Sequence, residues 1–297
     1  MNGADRGPSG ERHGSAWSAI SFLNAIPTGV GAAAAISLTL EATVSFGEGA
    51  SPSSTGARNE RDPLPPLVRA VVETVREAHP HLPGGIPRVR LRSSIPSARG
   101  LKSSSALAVA IARAMLQGEP SPPRPEHLAT LSADASLRSH QSVTGAFDDA
   151  MACARGGVVV AHVHHRKVLF VGDLPPHLAL VLWIPPETHP PAARLRERWQ
   201  EVPADLSEAV DLACRGDYLR AMGPNTRAVE RALGYDYSAL HGRGRDLGAL
   251  ASGVSGNGPA VAFVVPRNRQ RALVEGLSGG EAHVLPAEFA AAVREGP

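Results

Sequence analysis

Residues 95–106 read IPSARGLKSSSA and run straight into the apolar-periodic stretch 107–117, LAVAIARAMLQ. Pro96 and Gly100 interrupt any preceding strand, and the spacing predicts a helix whose first turn carries Ser103, Ser104 and Ser105. Unpaired backbone N–H groups and the positive end of the helix dipole meet at such a turn, which suits a phosphate. All but two of the chain's 30 basic residues are arginine, the exceptions being Lys102 and Lys167. A lysine in this loop therefore suggests a local need for a compact ammonium that can sit among phosphate oxygens. A Ser-capped helix start with no ligand would present the same serines. The expected triphosphate-binding residues are Pro96, Ser97, Ala98, Arg99, Gly100, Leu101, Lys102, Ser103, Ser104, Ser105 and Ala106.

The loop is not a Walker A motif, because Ile95 stands where GxxxxGK[ST] needs its first glycine. Pro96, Gly100, Leu101, Ser103 and Ser104 instead match PxxxGLxSSA, the phosphate loop of the GHMP kinase superfamily, which the chain resembles. Three further segments bring the resemblance nearest to archaeal-type shikimate kinases: NAIPTGVGAAAAISL (Asn24–Leu38), TGAFDDA (Thr144–Ala150) and SGNGPAVAF (Ser255–Phe263). The similarity spans residues 18–265. It implies an α+β, two-domain GHMP kinase fold with the active site in the interdomain cleft. It also implies ATP and Mg²⁺ as cofactors, and phosphorylation of a ring hydroxyl of shikimate to shikimate 3-phosphate, on the route to chorismate and the aromatic amino acids.

Within that resemblance Asp148 takes the place of the catalytic aspartate, as general base or as the acceptor that orients the substrate hydroxyl. Asp149 is either a magnesium partner or the N-cap of the following helix. Ser104 takes the place of the metal-binding serine, with Ser103 beside it on phosphate. Asn225, in AMGPNTRAVERALGYD (221–236), and the turn Gly256, Asn257, Gly258 are implied to face the substrate. A carboxylate on that substrate calls for a guanidinium fork, for which Arg227 is the expected residue and Arg99 and Arg138 the alternatives.

The chain also departs from the pattern. Val30 replaces the lysine of the family's GKG, Ala34 and Ala35 replace an aromatic residue and a glycine, and Thr226 replaces the glycine of an NG pair. The helix that usually supplies an acidic metal ligand carries Arg138 and His140, with Asp134 one turn earlier. These changes leave open a kinase for another cyclitol or small alcohol, and a catalytically inactive nucleotide-binding relative.

The rest of the chain bounds the setting. At 297 residues it is long enough for two domains, expected at 16–172 and 173–297 (the second α+β and ferredoxin-like) after a disordered tail at 1–15. Strict alternation from Ile36 to Phe46 predicts a half-buried strand, followed by a Gly/Ser/Pro-rich loop at 47–66. A net charge of +2 gives no electrostatic case for nucleic acid or an anionic membrane, and no stretch has the ~18 consecutive apolar residues of a membrane span. The expected partner is a small-molecule substrate, with the oligomeric state open. Two cysteines, Cys153 and Cys214, fit a reduced, cytoplasmic enzyme. His162, His164 and His165 are read as a hairpin-turn cluster, since no third ligand at a zinc-like spacing follows.

Overall fold

In the computed structural model, residues 10–46, 64–201 and 206–293 are described. The first half is a five-stranded sheet: β1 (Glu11–Leu23), β2 (Val30–Ser45), β3 (Arg88–Ser93), β4 (Val158–His162) and β5 (Lys167–Gly172). Its order is β1-β2-β4-β5. Strand β2 is long enough to pair twice along one edge, with β4 through residues 30–34 and with β3 through residues 40–45. From Ile36 onward the predicted alternation holds, Leu40, Ala42 and Val44 being buried and Glu41 exposed. Residues 30–35 are buried on both faces, so the strand begins six residues before its alternation does.

Four helices cover this sheet: α1 (Pro66–Ala78), α2 (Ser103–Met115), α3 (Pro125–Arg138) and α4 (Phe147–Arg155). Helix α2 is alanine-rich and buried over most of its circumference, because it lies, beside α4, between the sheet and the outer helices α1 and α3. Its approach to β1 is so close that a Cβ at Gly14 would lie 2.2 Å from the Ala110 carbonyl oxygen. That packing corrects the expected tail at 1–15. Residues 1–9 lie outside the described residues, but Glu11–Ser15 already belong to β1 and pair with β2. The expected loop at 47–66 lies, up to residue 63, outside the described residues.

The second half begins with β6 (Leu178–Ile184) and continues through α5 (Ala192–Glu201), α6 (Ser207–Cys214), α7 (Tyr218–Leu233), α8 (Ser238–Asp246), β7 (Ala251–Val254), β8 (Val261–Pro266), α9 (Gln270–Leu277) and β9 (His283–Ala287). Its four strands form an antiparallel sheet in the order β7-β8-β6-β9. The expected boundary at 172/173 falls between the two sheets. The chain nevertheless crosses back after β9: Ser37 N–H donates to the Glu288 carbonyl, Ala290 N–H to the Ala35 carbonyl, and Gly157 N–H to the Ala290 carbonyl, all at 2.8–2.9 Å. One buried apolar cluster runs through both halves. No helix among the described residues is long and apolar enough to cross a membrane.

Candidate active site

A cleft of about 490 Å³ opens where the loop before α2, the turn before α4, the end of β1 and the turn after β7 converge. The loop itself is locked from behind. Ser18 Oγ donates to the Leu101 carbonyl at 2.7 Å, and Ser255 Oγ donates to the Gly100 carbonyl at 2.8 Å while accepting from Ser21 N–H at 3.2 Å. Gly100 has φ +82°, and a Cβ there would lie 2.0 Å from the Ser255 carbonyl oxygen, so only glycine fits. Lys102 takes the left-handed conformation just before α2, and no side chain caps that helix. The first-turn N–H groups are thus left for a ligand, with Ser103, Ser104 and Ser105 all lining the cleft.

Lys102 turns across the cleft, where its Nζ lies 3.2 Å from Asp149 Oδ1 with both side chains largely buried. Asp149 Oδ1 has no hydrogen bond besides this ion pair among the described residues. Beside it Asp148 is only 3% exposed. Burial pushes its carboxyl up to about 8; the Asp149 charge adds to the rise and the Lys102 ammonium opposes it. Room for the carboxylate comes from Gly31 on β2, where a Cβ would lie 1.9 Å from Asp148 Oδ2.

Across the cleft Asn24 organises the wall. Its N–H donates to Asn225 Oδ1 at 2.7 Å, and its Nδ2 donates to the Gly256 carbonyl (3.2 Å) and to Asn257 Oδ1 (3.0 Å). Trp199 Nε1 and the Tyr235 hydroxyl also donate to Asn257, on its Oδ1 and carbonyl oxygen respectively. An anion-ready helix terminus faces a lysine and two carboxylates, an arrangement suited to phosphoryl transfer.

Comparison with known proteins agrees. The family model "GHMP kinases N terminal domain" matches residues 66–157. A shikimate kinase of Pyrococcus abyssi is 32% identical over 248 residues, 83% of this chain and 89% of that protein. The chain belongs to the GHMP kinases. A shikimate kinase of Halobacterium salinarum is 34% identical, over 82% of this chain and 84% of its own. The Lactococcus lactis galactokinase structure, 11% identical, superposes with a TM-score of 0.70 over 95% of each chain, a likeness of fold.

In this GHMP kinase the loop residues Ser97, Ala98, Gly100, Lys102, Ser103, Ser104 and Ser105 line the cleft, as do Asp148, Asp149, Gly256 and Asn257. Leu101 and Ala106 are buried behind the loop, and Pro96 and Arg99 do not line the cleft. Asn225 is buried on α7 and reaches the cleft only through Asn24, while Gly258 packs against the Tyr235 ring.

Several expectations need correction. Asp149 is not an N-cap: α4 starts after Ala146 in a left-handed conformation, with no side-chain cap, and the carboxylate turns to Lys102 instead. Arg227 lies exposed on α7, because Asn225 and Thr226 take the inward face and the next residue is rotated away by a helical step. Arg138 is held by Glu77 (Nη1 to Oε1, 2.8 Å), and Arg99 donates to the Pro185 and Pro186 carbonyls. Asp134 pairs with Arg166 and does not line the cleft, where Ser136 is the α3 residue among those described. Sequence motifs alone do not mark Gly31, Asn24, Ser18, Ser21 and Ser255 as site residues, although the NAIPTGVG and SGNGP segments contain all but the two hydroxyls on β1.

Proposed function

We propose that this GHMP kinase transfers the γ-phosphate of ATP to a ring hydroxyl of shikimate, giving shikimate 3-phosphate and ADP. The observation that carries the reading is the Lys102–Asp149 ion pair, which ties the phosphate loop to the turn presenting Asp148. The choice of shikimate is supported by the names of the relatives. Asp148 orients the acceptor hydroxyl and takes its proton as the oxygen bonds to the γ-phosphorus and the bond to the ADP oxygen breaks. Lys102 and the α2 N-terminus hold the phosphates. The Ser104 hydroxyl and the under-bonded Asp149 Oδ1 suit an oxygen-seeking Mg²⁺, whose chemistry when bound is to neutralise phosphate charge.

His189 is the proposed partner of the shikimate carboxylate. Among the described residues no arginine lines the cleft, and His189 and Lys102 are its only cationisable side chains. His189 is anchored by its N–H to the Ala98 carbonyl at 3.1 Å and by Nδ1–H to the Pro190 carbonyl at 2.8 Å. The same scarcity of cations favours, as a second reading, a neutral cyclitol acceptor.

A coupled ADP-release assay decides between them, using shikimate, its methyl ester and a panel of neutral cyclitols. The proposal expects shikimate to exceed the ester in kcat/KM by at least ~10-fold, the scale of one lost charged contact. Equal rates on acid and ester would shift the reading to a neutral ring alcohol. No release with any acceptor, despite measurable ATP binding, would mark an inactive relative.

A further inference from the structure

On the side of the helical layer away from the phosphate loop, four metal-capable side chains meet from three separate segments. His79 closes the C-terminus of α1, His81 follows it by two residues, Glu119 stands in the connection after α2, and His127 lies in the first turn of α3. One ligand atom each from His79, His81 and Glu119 falls within 4.8 Å of the others. His81 Nε2 is 2.7 Å from Glu119 Oε1, and His79 Nε2 is 2.8 Å from His127 Nε2. The His79 ring also stands edge-on to both the His81 and the His127 rings.

The geometry points to a divalent transition-metal site, Zn²⁺ by its chemistry, held by His79, His81 and Glu119 with His127 as the fourth ligand. Tetrahedral zinc with bonds of 2.0–2.1 Å keeps its ligand atoms roughly 3.3 Å apart, so the His81–Glu119 and His79–His127 pairs would open by about half an ångström, while the trio within 4.8 Å draws in and His127, which stands against His79, turns toward it to admit the ion. Three imidazoles and one carboxylate are a set that zinc prefers and that magnesium, which seeks oxygen, does not. The cluster gathers its ligand atoms from three separate segments of the chain, and the Nε2 atoms of His79 and His127 face each other at 2.8 Å.

The site would pin the end of α1 to both ends of the α2–α3 connection. Helix α2 begins at the phosphate loop and α3 places Ser136 on the cleft, so the ion would brace the layer that carries the active site without touching substrate. An ion bound only by the folded state raises stability by mass action.

The test uses the full chain without a polyhistidine tag, stripped with chelator and dialysed against Zn²⁺, with metal content measured by mass spectrometry and Co²⁺ absorption recorded in parallel. Expected are one Zn²⁺ per chain, the intense visible bands of tetrahedral Co²⁺, and a higher melting temperature with Zn²⁺ than with Mg²⁺. The partly exposed Glu119→Gln and exposed His81→Asn should each weaken Zn²⁺ binding by at least ~10-fold and abolish the thermal gain, with Mg·ATP turnover unchanged. His127→Phe should remove the tetrahedral Co²⁺ bands. His164→Asn, in the other histidine cluster, should change neither binding nor bands. Failure to bind Zn²⁺ at micromolar concentration, or wild-type affinity in both His81→Asn and Glu119→Gln, would overturn the proposal. So would loss of binding in His164→Asn alone.

Discussion

The Cβ that Gly31 lacks would stand 1.9 Å from Asp148 Oδ2, so the strand β2 is shaped around the carboxylate it faces. Gly31 has an ordinary strand backbone, and alanine there meets no conformational penalty of its own. Gly31→Ala should therefore fold, yet displace the Asp148 carboxylate by an ångström or more. Such a misplacement costs on the order of 10²-fold in kcat. Steady-state kinetics with a thermal melt on the same sample checks this; wild-type turnover in a folded Gly31→Ala protein would show that the carboxylate's position is not limiting.

Asp148 keeps its proton in the fold up to about pH 8, whereas its ordinary value is 3.8. Between these values the folded state holds the extra proton. The group's contribution to stability is thus full below about pH 4 and is lost as pH rises through about 8. Asp148→Asn removes this loss. Its melting temperature should exceed that of the wild type at pH 8–9 by roughly 3–8 °C and the margin should shrink toward pH 4. Its kcat should fall by ~10² or more, and the wild-type rise of kcat/KM with pH toward 8 should vanish. Asp149→Asn should cost less in kcat; the reverse order would exchange the two roles.

Lys102 sits under Gly256, where a Cβ would approach Nζ to 2.5 Å. A guanidinium needs more width than that gap allows. Lys102→Arg, though it conserves charge, should lower kcat/KM for ATP by ~10². Near-wild-type kinetics in the arginine variant would mean that charge alone suffices at this position.

Two substitutions separate the cations offered for the acceptor. Arg227→Gln, on the exposed face of α7, should leave KM for shikimate within about twofold, an ordinary surface effect. His189→Gln should raise that KM by ~10-fold with little change in KM for ATP. A rise in Arg227→Gln alone would move the carboxylate to the outer end of α7.

Ser104→Ala should lower turnover with Mg·ATP far more than it lowers stability, since an exposed helix-start hydroxyl is worth only ~1 kcal/mol to the fold. Turnover and melting temperature measured together would tell, and unchanged turnover would remove Ser104 from the proposed metal shell.

The phosphate loop, the Asp148 turn and the SGNGP turn were all legible in the sequence, because each depends on local chemistry: glycines that admit close backbone approach, hydroxyls at a helix start, and a carboxylate in a turn. The period-two pattern of Ile36–Phe46 was legible for the same reason, since one face of that strand is solvated. Where both faces are buried the pattern disappears, and the first six residues of β2 could be recognised as strand only in the fold. Strand β1 was hidden behind a charged, glycine-containing start, and only the contact of Gly14 with α2 shows why that glycine belongs in a strand. Partnership was the other matter left to tertiary structure. Whether Arg227, Arg138 or Arg99 faces the cleft depends on helix rotation and on competing carboxylates and carbonyls distant in sequence, and all three are turned elsewhere. The pairing of Lys102 with Asp149, and the room that Gly31 leaves for Asp148, likewise exist only once segments 47 and 117 residues apart are brought together, because ion pairing and steric fit act through space rather than along the chain.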